Sequence, residues 1–255
     1  MSMLDAPRTD TKVALITGAN RGLGYATAQL LGEAGFTVLV GSRNSEAGEH
    51  AAERLRGGGI DAHGVHIDVT SEDSVRRAAI DVASEHGRLD VLVNNAGILP
   101  EATAADIERP LDMLMFRESF ETNVFGAVAV IKEFLPILRD ASAGRIVNVS
   151  SSMGSLTDQS DPDSPYYGLV VPAYQTSKAA LNGLTIALSK SLSDTKIKVN
   201  SVCPGWVQTD LGGPDNRAAA PTTAAMAAQI VAQMAMIDDN GPTGGFFDGD
   251  GIVPW

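Results

Sequence analysis

The chain has 255 residues, 44% hydrophobic and 20% charged, a size and balance that suit one α/β domain spanning 1–255 with its own core. Its net charge of −12 argues against nucleic acid or an anionic membrane surface as a partner. The single cysteine, Cys203, excludes an internal disulfide and points to a reducing, cytoplasmic compartment, while no apolar run reaches the roughly 20 residues of a membrane span.

Residues 1–11 are polar and read as loose. Val13-Ala-Leu-Ile-Thr17 is a short apolar run that suits a strand buried on both faces. Gly18-Ala-Asn-Arg-Gly22-Leu-Gly24 follows at once, and Tyr25–Ala34 then reads as a helix stopped by Gly35. A strand running through a glycine-rich turn into a helix is the context a dinucleotide site requires, because backbone can approach a pyrophosphate there. The helix start adds free N–H groups and the positive end of a dipole.

Strand and helix then alternate. The pattern predicts strands at Thr37–Val40, His63–Ile67, Leu89–Val93, Arg145–Val149, Lys196–Val202 and Gly245–Phe247. Between them it predicts helices over Ser45–Arg56, Ser71–His86 (with Ser71 as N-cap), Leu111–Leu138, Ala173–Leu192 and Thr222–Met236. Strands separated by helices imply a parallel, doubly wound Rossmann-type sheet flanked by helices, with no internal repeat and no second domain. Reactive groups should then lie beyond the carboxyl ends of the strands.

Three features there carry chemistry. Tyr174 and Lys178 stand four apart at the start of a helix, so they share a face, and a phenol beside an ammonium is biased towards ionising. Ser151 follows the fifth strand. Asn123 lies inside the expected Leu111–Leu138 helix, where its side chain competes for backbone hydrogen bonds; such a broken local rule points to a site or to a kink. His50, His63, His66 and His86 show no metal-ligand spacing, and Cys203 reads as a small packing residue.

These residues in this order resemble the short-chain dehydrogenase/reductase family over essentially the whole chain. The matching stretches are Thr17-Gly-x-x-x-Gly-x-Gly24, Asp68-Val69, Asn94-Asn-Ala-Gly97, Asn123, Ser151, Tyr174-x-x-x-Lys178 and Pro204-Gly205. Asn20-Arg-Gly-Leu-Gly24 and Val202–Asp210 look most like the carbonyl-reductase branch. The resemblance implies hydride transfer between NADPH/NADP+ and a small-molecule carbonyl or alcohol. It casts Tyr174 as proton donor and Ser151 as a hydrogen-bonding partner of the substrate oxygen. Lys178 would lower the Tyr174 pKa and hold the ribose, and Asn123 would hold a water that links Lys178 to solvent. Ser150 and Ser152 become supporting residues. An alcohol dehydrogenase of a biosynthetic pathway and a non-catalytic NADP(H) sensor are the alternatives.

Cofactor contacts carry over to Gly18, Asn20, Arg21, Gly22, Leu23 and Gly24 at the pyrophosphate, and to Asp68 and Val69 at the adenine. Asn94, Asn95, Ala96 and Gly97 carry over to the sheet end, with Pro204, Gly205, Val207 and Thr209 near the nicotinamide. The second strand ends at Ser42 where an NAD site needs an acid. Arg43 follows, and Arg21 sits in the glycine-rich turn, so NADPH is expected. About ten residues more than the family pattern separate Ser151 from Tyr174. This insertion, near Thr157–Val171, reads as a lid or pocket wall, and it leaves a monomer or a small homo-oligomer open. By position, Met153, Leu156, Tyr166, Tyr167 and Trp206 form an apolar, aromatic substrate pocket.

Overall fold

The computed structural model describes residues 11–103 and 111–255; the N-terminal segment expected to be loose lies, but for Thr11, outside the described residues. In chain order the elements are β1 (Val13–Ile16), α1 (Gly22–Glu33), β2 (Thr37–Ser42), α2 (Ser45–Gly57), β3 (Ala62–His66) and α3 (Glu72–His86). There follow β4 (Val91–Asn94), α4 (Met113–Phe120), α5 (Gly126–Asp140), β5 (Arg145–Val149), α6 (Leu156–Ser160) and α7 (Pro172–Ser191). The described chain ends with β6 (Lys198–Val202), α8 (Gly213–Ala219), α9 (Ala224–Ala235), β7 (Phe246–Asp248) and β8 (Gly251–Ile252).

One sheet holds all eight strands, in the order β3-β2-β1-β4-β5-β6-β7-β8. Neighbours are parallel from β3 through β7, and only the β7–β8 pair is antiparallel. The order reverses between β1 and β4, which opens a crevice at their carboxyl ends. Alternation along β1 shows why the sheet needs two covering layers. Ala14 and Ile16 join the α1, α2 and α9 side through Leu31, Leu55 and Val231. Val13 and Leu15 join the α3, α5 and α7 side through Val75, Phe134 and Leu192. Phe134 is fully buried, and truncating such a ring to alanine costs roughly 3–5 kcal/mol.

Local chemistry sets several boundaries as read from the sequence. Ser71 accepts a hydrogen bond from the Ser74 N–H, opening α3, and Gly87 closes it at φ 65°. Asn44 caps α2 by accepting from the Ala47 N–H. Helix α1 begins at Gly22, three residues before the expected Tyr25, because the second glycine of the turn already takes the first helical position. The expected Leu111–Leu138 helix is not continuous. Between α4 and α5 runs a π-helical turn, Glu121–Phe125, centred on Asn123. Its cause is long-range, since the Asn123 amide bonds to another segment. The last parallel strand lies one residue later than expected, at Phe246–Asp248. The short α6, α8 and β8 carry too little periodicity to be read from sequence.

Candidate active site

The glycine-rich turn is shaped by close approach. Gly18 and Gly22 have φ of 65° and 57°, which favour glycine. A Cβ on Gly24 would stand 2.6 Å from the Gly18 oxygen and 2.6 Å from Asn95 Nδ2, so α1 could not come this near the turn with any side chain there. Asn95 locks the arrangement from β4: its Nδ2 donates to Thr17 O at 2.8 Å and to Gly18 O at 3.1 Å. Thr17 Oγ1 in turn accepts from the N–H groups of Asn95 and Ala96, each at 3.0 Å. Asn94, expected to border the cofactor, instead faces the sheet interior and donates to Asn148 Oδ1 at 2.8 Å. Successive residues of an extended strand point to opposite faces, so Asn94 and Asn95 cannot serve the same side.

No side chain among the described residues caps α1 at Arg21. Its first-turn N–H groups are therefore left without side-chain partners, as an anion site requires. Together with the glycine cradle this fits a dinucleotide pyrophosphate. Asn20 and Leu23 are half-buried in the same turn. Across the crevice, Thr209 Cγ2 lies 3.3 Å from where a Gly22 Cβ would stand, and Asp210 pairs with Arg21 at 3.0 Å and with Arg217 at 2.9 Å. Arg21 is thus partnered by an acid that the sequence did not connect with it. Ser42 is buried, with Oγ accepting from the Asn44 N–H, and Arg43 beside it is exposed. Asp68 Oδ1 accepts from the Thr70 N–H and hydroxyl, and Val69 packs against Gly126. Pro204 and Gly205, the latter at φ 80°, lead into Val207, which bridges to Thr222.

Deeper in the crevice the four central candidates converge. Tyr174 and Lys178 are only 6% and 4% exposed. The Lys178 ammonium lies 5.5 Å from the Tyr174 ring centre and donates to Val149 O at 2.8 Å. Ser151 stands near enough to the Tyr174 phenol to oppose its upward shift, and its Oγ accepts from the Met153 N–H at 3.2 Å. Ser150 Oγ donates to Lys178 O at 3.4 Å, in keeping with a supporting place. Asn123 Oδ1 accepts from the Ile98 N–H at 2.9 Å, and its Nδ2 donates to Ile98 O and to Ser177 Oγ, each at 3.0 Å. Both amide hydrogens are committed to protein, so only an Oδ1 lone pair is left for the expected water. A Cβ on Gly97 would crowd Asn123 Oδ1 (3.3 Å) and come into ordinary contact with Lys178 Nζ (3.6 Å).

The electrostatics correct one expectation. Burial pushes the Tyr174 phenol above its ordinary range, Cys203 pushes the same way, Ser151 opposes, and Glu101 adds a further upward push. Burial lowers Lys178 to about 8, with Cys203 opposing. A lowering of the Tyr174 phenol by Lys178 is expected from the sequence, whereas burial sets the opposite direction here.

Cys203 is buried as expected, yet it is more than filler. The Ser152 N–H and hydroxyl both donate to its sulfur at 3.2 Å. Tyr166 adjoins this corner, and its phenol is pushed up chiefly by burial. Met153 is half-buried, whereas Leu156, Tyr167 and Trp206 are 65%, 52% and 53% exposed. The expected pocket is therefore a rim open to solvent rather than an enclosed box. The insertion is tied at both ends. The Thr157 N–H and hydroxyl donate to the Trp255 main-chain oxygen at 3.0 and 2.7 Å. At the other end Gln175 Nε2 donates to Leu169 O at 2.9 Å. His86 is half-buried and meets His63 edge to face at 5.3 Å. Among the described residues no group of three potential metal ligands forms, and no helix is long and apolar enough to cross a membrane.

The sequence reading missed Glu101, Ser177 and Asp210, whose partners lie far away along the chain. Relatives sharpen the picture. A short-chain dehydrogenase of Penicillium roqueforti is 37% identical over 211 residues, covering 79% of this chain and 81% of that protein. The mouse protein named carbonyl reductase [NADPH] 1 is 29% identical over 281 residues, covering 95% and 98%. The structure of an NADPH-bound carbonyl reductase from chicken fatty liver superposes with a TM-score of 0.80 at 26% identity, over 97% of this chain and 100% of that one. The family model described as short chain dehydrogenase matches residues 12–220, and on that match this protein belongs to the short-chain dehydrogenase family, as an oxidoreductase of the Rossmann-type fold.

Proposed function

We propose that the protein reduces an apolar or aromatic carbonyl compound (aldehyde, ketone or quinone) to an alcohol with NADPH, Tyr174 being the proton donor. The observation that carries this reading is the buried Tyr174 with the Lys178 ammonium 5.5 Å from its ring centre and Ser151 beside its phenol. Two neighbouring hydroxyls offer one carbonyl oxygen a partner in each. When bound, the nicotinamide cofactor supplies the hydride to the carbonyl carbon. The bond electrons of the carbonyl then move onto its oxygen, and Tyr174 gives that oxygen its phenolic proton. Ser151 holds the oxygen in line for this transfer, and the Lys178 ammonium offsets the phenolate left behind. Burial keeps Tyr174 protonated at neutral pH, which suits a proton donor.

Support for NADPH comes from Ser42, which leaves no acid to repel a 2′-phosphate, and from Arg21 and Arg43 near the same strand end. The mouse and chicken relatives carry NADPH in their names. The exposed apolar side chains of Leu156, Tyr167 and Trp206 at the crevice rim support a hydrophobic substrate. The test is to incubate the protein with NADPH and a panel of aldehydes, ketones and quinones. NADPH should be consumed with at least one, and Tyr174→Phe should lose about 10²–10⁴-fold in kcat while still binding NADPH. Consumption of NADPH with none, or full activity in Tyr174→Phe, refutes the proposal.

A further inference from the structure

Helix α7 delivers both Tyr174 and Lys178, yet its own side chains cap only the Val171 N–H, through Gln175 Oε1 at 3.1 Å. Its N-cap residue, Val171, has no side-chain acceptor, and Pro172 at the first position has no N–H. Two first-turn donors remain to be satisfied, the N–H groups of Ala173 and Tyr174. Both point to one atom: Glu101 Oε1 accepts from Ala173 at 2.6 Å and from Tyr174 at 3.2 Å. Glu101 stands 73 residues before Tyr174, on the turn Pro100–Thr103 that follows β4. That turn continues from Ile98, which Asn123 clamps at both its N–H and its carbonyl. Two of the segments around the candidate centre are therefore tied to it by one short stretch, 98–101.

The other carboxylate oxygen, Glu101 Oε2, is buried and has no hydrogen-bond partner among the described residues. No cation among the described residues pairs with it, and an anion at a helix start is favoured by the dipole while still acting on neighbours. We propose that Glu101 is the positioning residue for Tyr174: it caps α7 from outside the helix, fixes the turn that aims the phenol, and sets by its charge the pH at which that phenol gives up its proton. The upward push on Tyr174 that Glu101 exerts agrees with this. The other groups that face the phenol are Lys178 on α7, Ser151 after β5 and Cys203 after β6, with Tyr166 of the insertion next to Cys203. None of these would change in a Glu101 variant.

This inference rests on Tyr174 acting as proton donor, so the experiment has one arm that needs no turnover. Hydrogen exchange of the full chain is followed over residues 171–178 in wild type, Glu101→Ala and Glu101→Gln. Glu101→Ala should expose the Ala173 and Tyr174 amides at least about tenfold faster, whereas Glu101→Gln, which keeps an acceptor oxygen, should restore protection. In the second arm kcat for NADPH-dependent reduction is measured against pH. Glu101→Gln should keep plateau kcat within about threefold and move the alkaline limb to lower pH by at least about half a unit, since a negative charge facing the phenol is gone. Unchanged exchange in Glu101→Ala, or an unmoved limb in Glu101→Gln, overturns the proposal. Should no carbonyl compound be reduced by wild type, the proposed function falls and the exchange arm still decides the cap.

Discussion

Lys178 stands one turn after Tyr174 with its ammonium 5.5 Å from the phenol ring centre, and still the phenol is held above its ordinary range. Burial decides the balance, because both groups lose water when α7 closes on the sheet. A group held up in this way stays protonated through neutrality. Carbonyl reduction, which uses the protonated phenol and the Lys178 ammonium, should be flat in kcat between about pH 5.5 and pH 7. Alcohol oxidation, which uses the phenolate, should climb with pH throughout the same range. Initial rates in both directions across that range test this; a reduction rate that already falls between about pH 5.5 and pH 7 contradicts the structure.

The same burial makes a prediction about stability. Lys178 is lowered to about 8 from an ordinary 10.5. Between those values the unfolded chain binds more protons at this site than the folded one, so its contribution to stability rises with pH. Below about pH 8 the site carries the full cost of burying an ammonium. Lys178→Met should remove this upward slope, and below about pH 8 it should be the more stable of the two proteins. Urea midpoints measured from about pH 7 to 9.5 report the difference; parallel slopes for the two proteins would show that the ammonium is not desolvated.

Gly24 makes a steric prediction. A single methyl there meets the Gly18 oxygen and Asn95 Nδ2 at 2.6 Å, and neither can withdraw, since Asn95 is bonded to Thr17 and Gly18. Gly24→Ala should destabilise the fold by about 1–3 kcal/mol, the usual cost of overpacking. It should also weaken NADPH binding, because relief requires α1 to move off the turn. Gly183, with nothing near its Cβ position, serves as control: Gly183→Ala should be neutral or mildly stabilising. Equal melting temperatures for the two variants would sink this reading of the turn.

Cofactor preference follows from the strand end and the crevice rim. Wild type should favour NADPH over NADH by at least about tenfold in kcat/KM, which is roughly 1.4 kcal/mol. Ser42→Asp combined with Arg43→Ala should shift the preference towards NADH, through repulsion of the 2′-phosphate and loss of a guanidinium. Asp210→Asn frees Arg21 from its ion pair and should lower the KM for NADPH more than that for NADH. Indistinguishable kcat/KM values for the two cofactors in wild type would refute the assignment, leaving the role of Tyr174 to its own test.

Much of the protein was legible before any coordinates. The apolar runs at Val13, Thr37, Leu89 and Arg145 and the helical spacing between them are local signals, so the strands and helices fall close to where periodicity puts them. The glycine spacing from Gly18 to Gly24 and the Tyr174–Lys178 interval are local too, and the structure brings both to the carboxyl edge of the sheet. What remained hidden is set by distance along the chain. Glu101 meets Tyr174 across 73 residues and Asn123 meets Ile98 across 25, and no spacing rule connects such partners. Desolvation is likewise a property of the closed fold. The chain alone shows that a phenol and an ammonium lie one turn apart, but how much water each retains depends on the sheet, loops and insertion packed over them. That packing turned an expected lowering of the Tyr174 pKa into a rise.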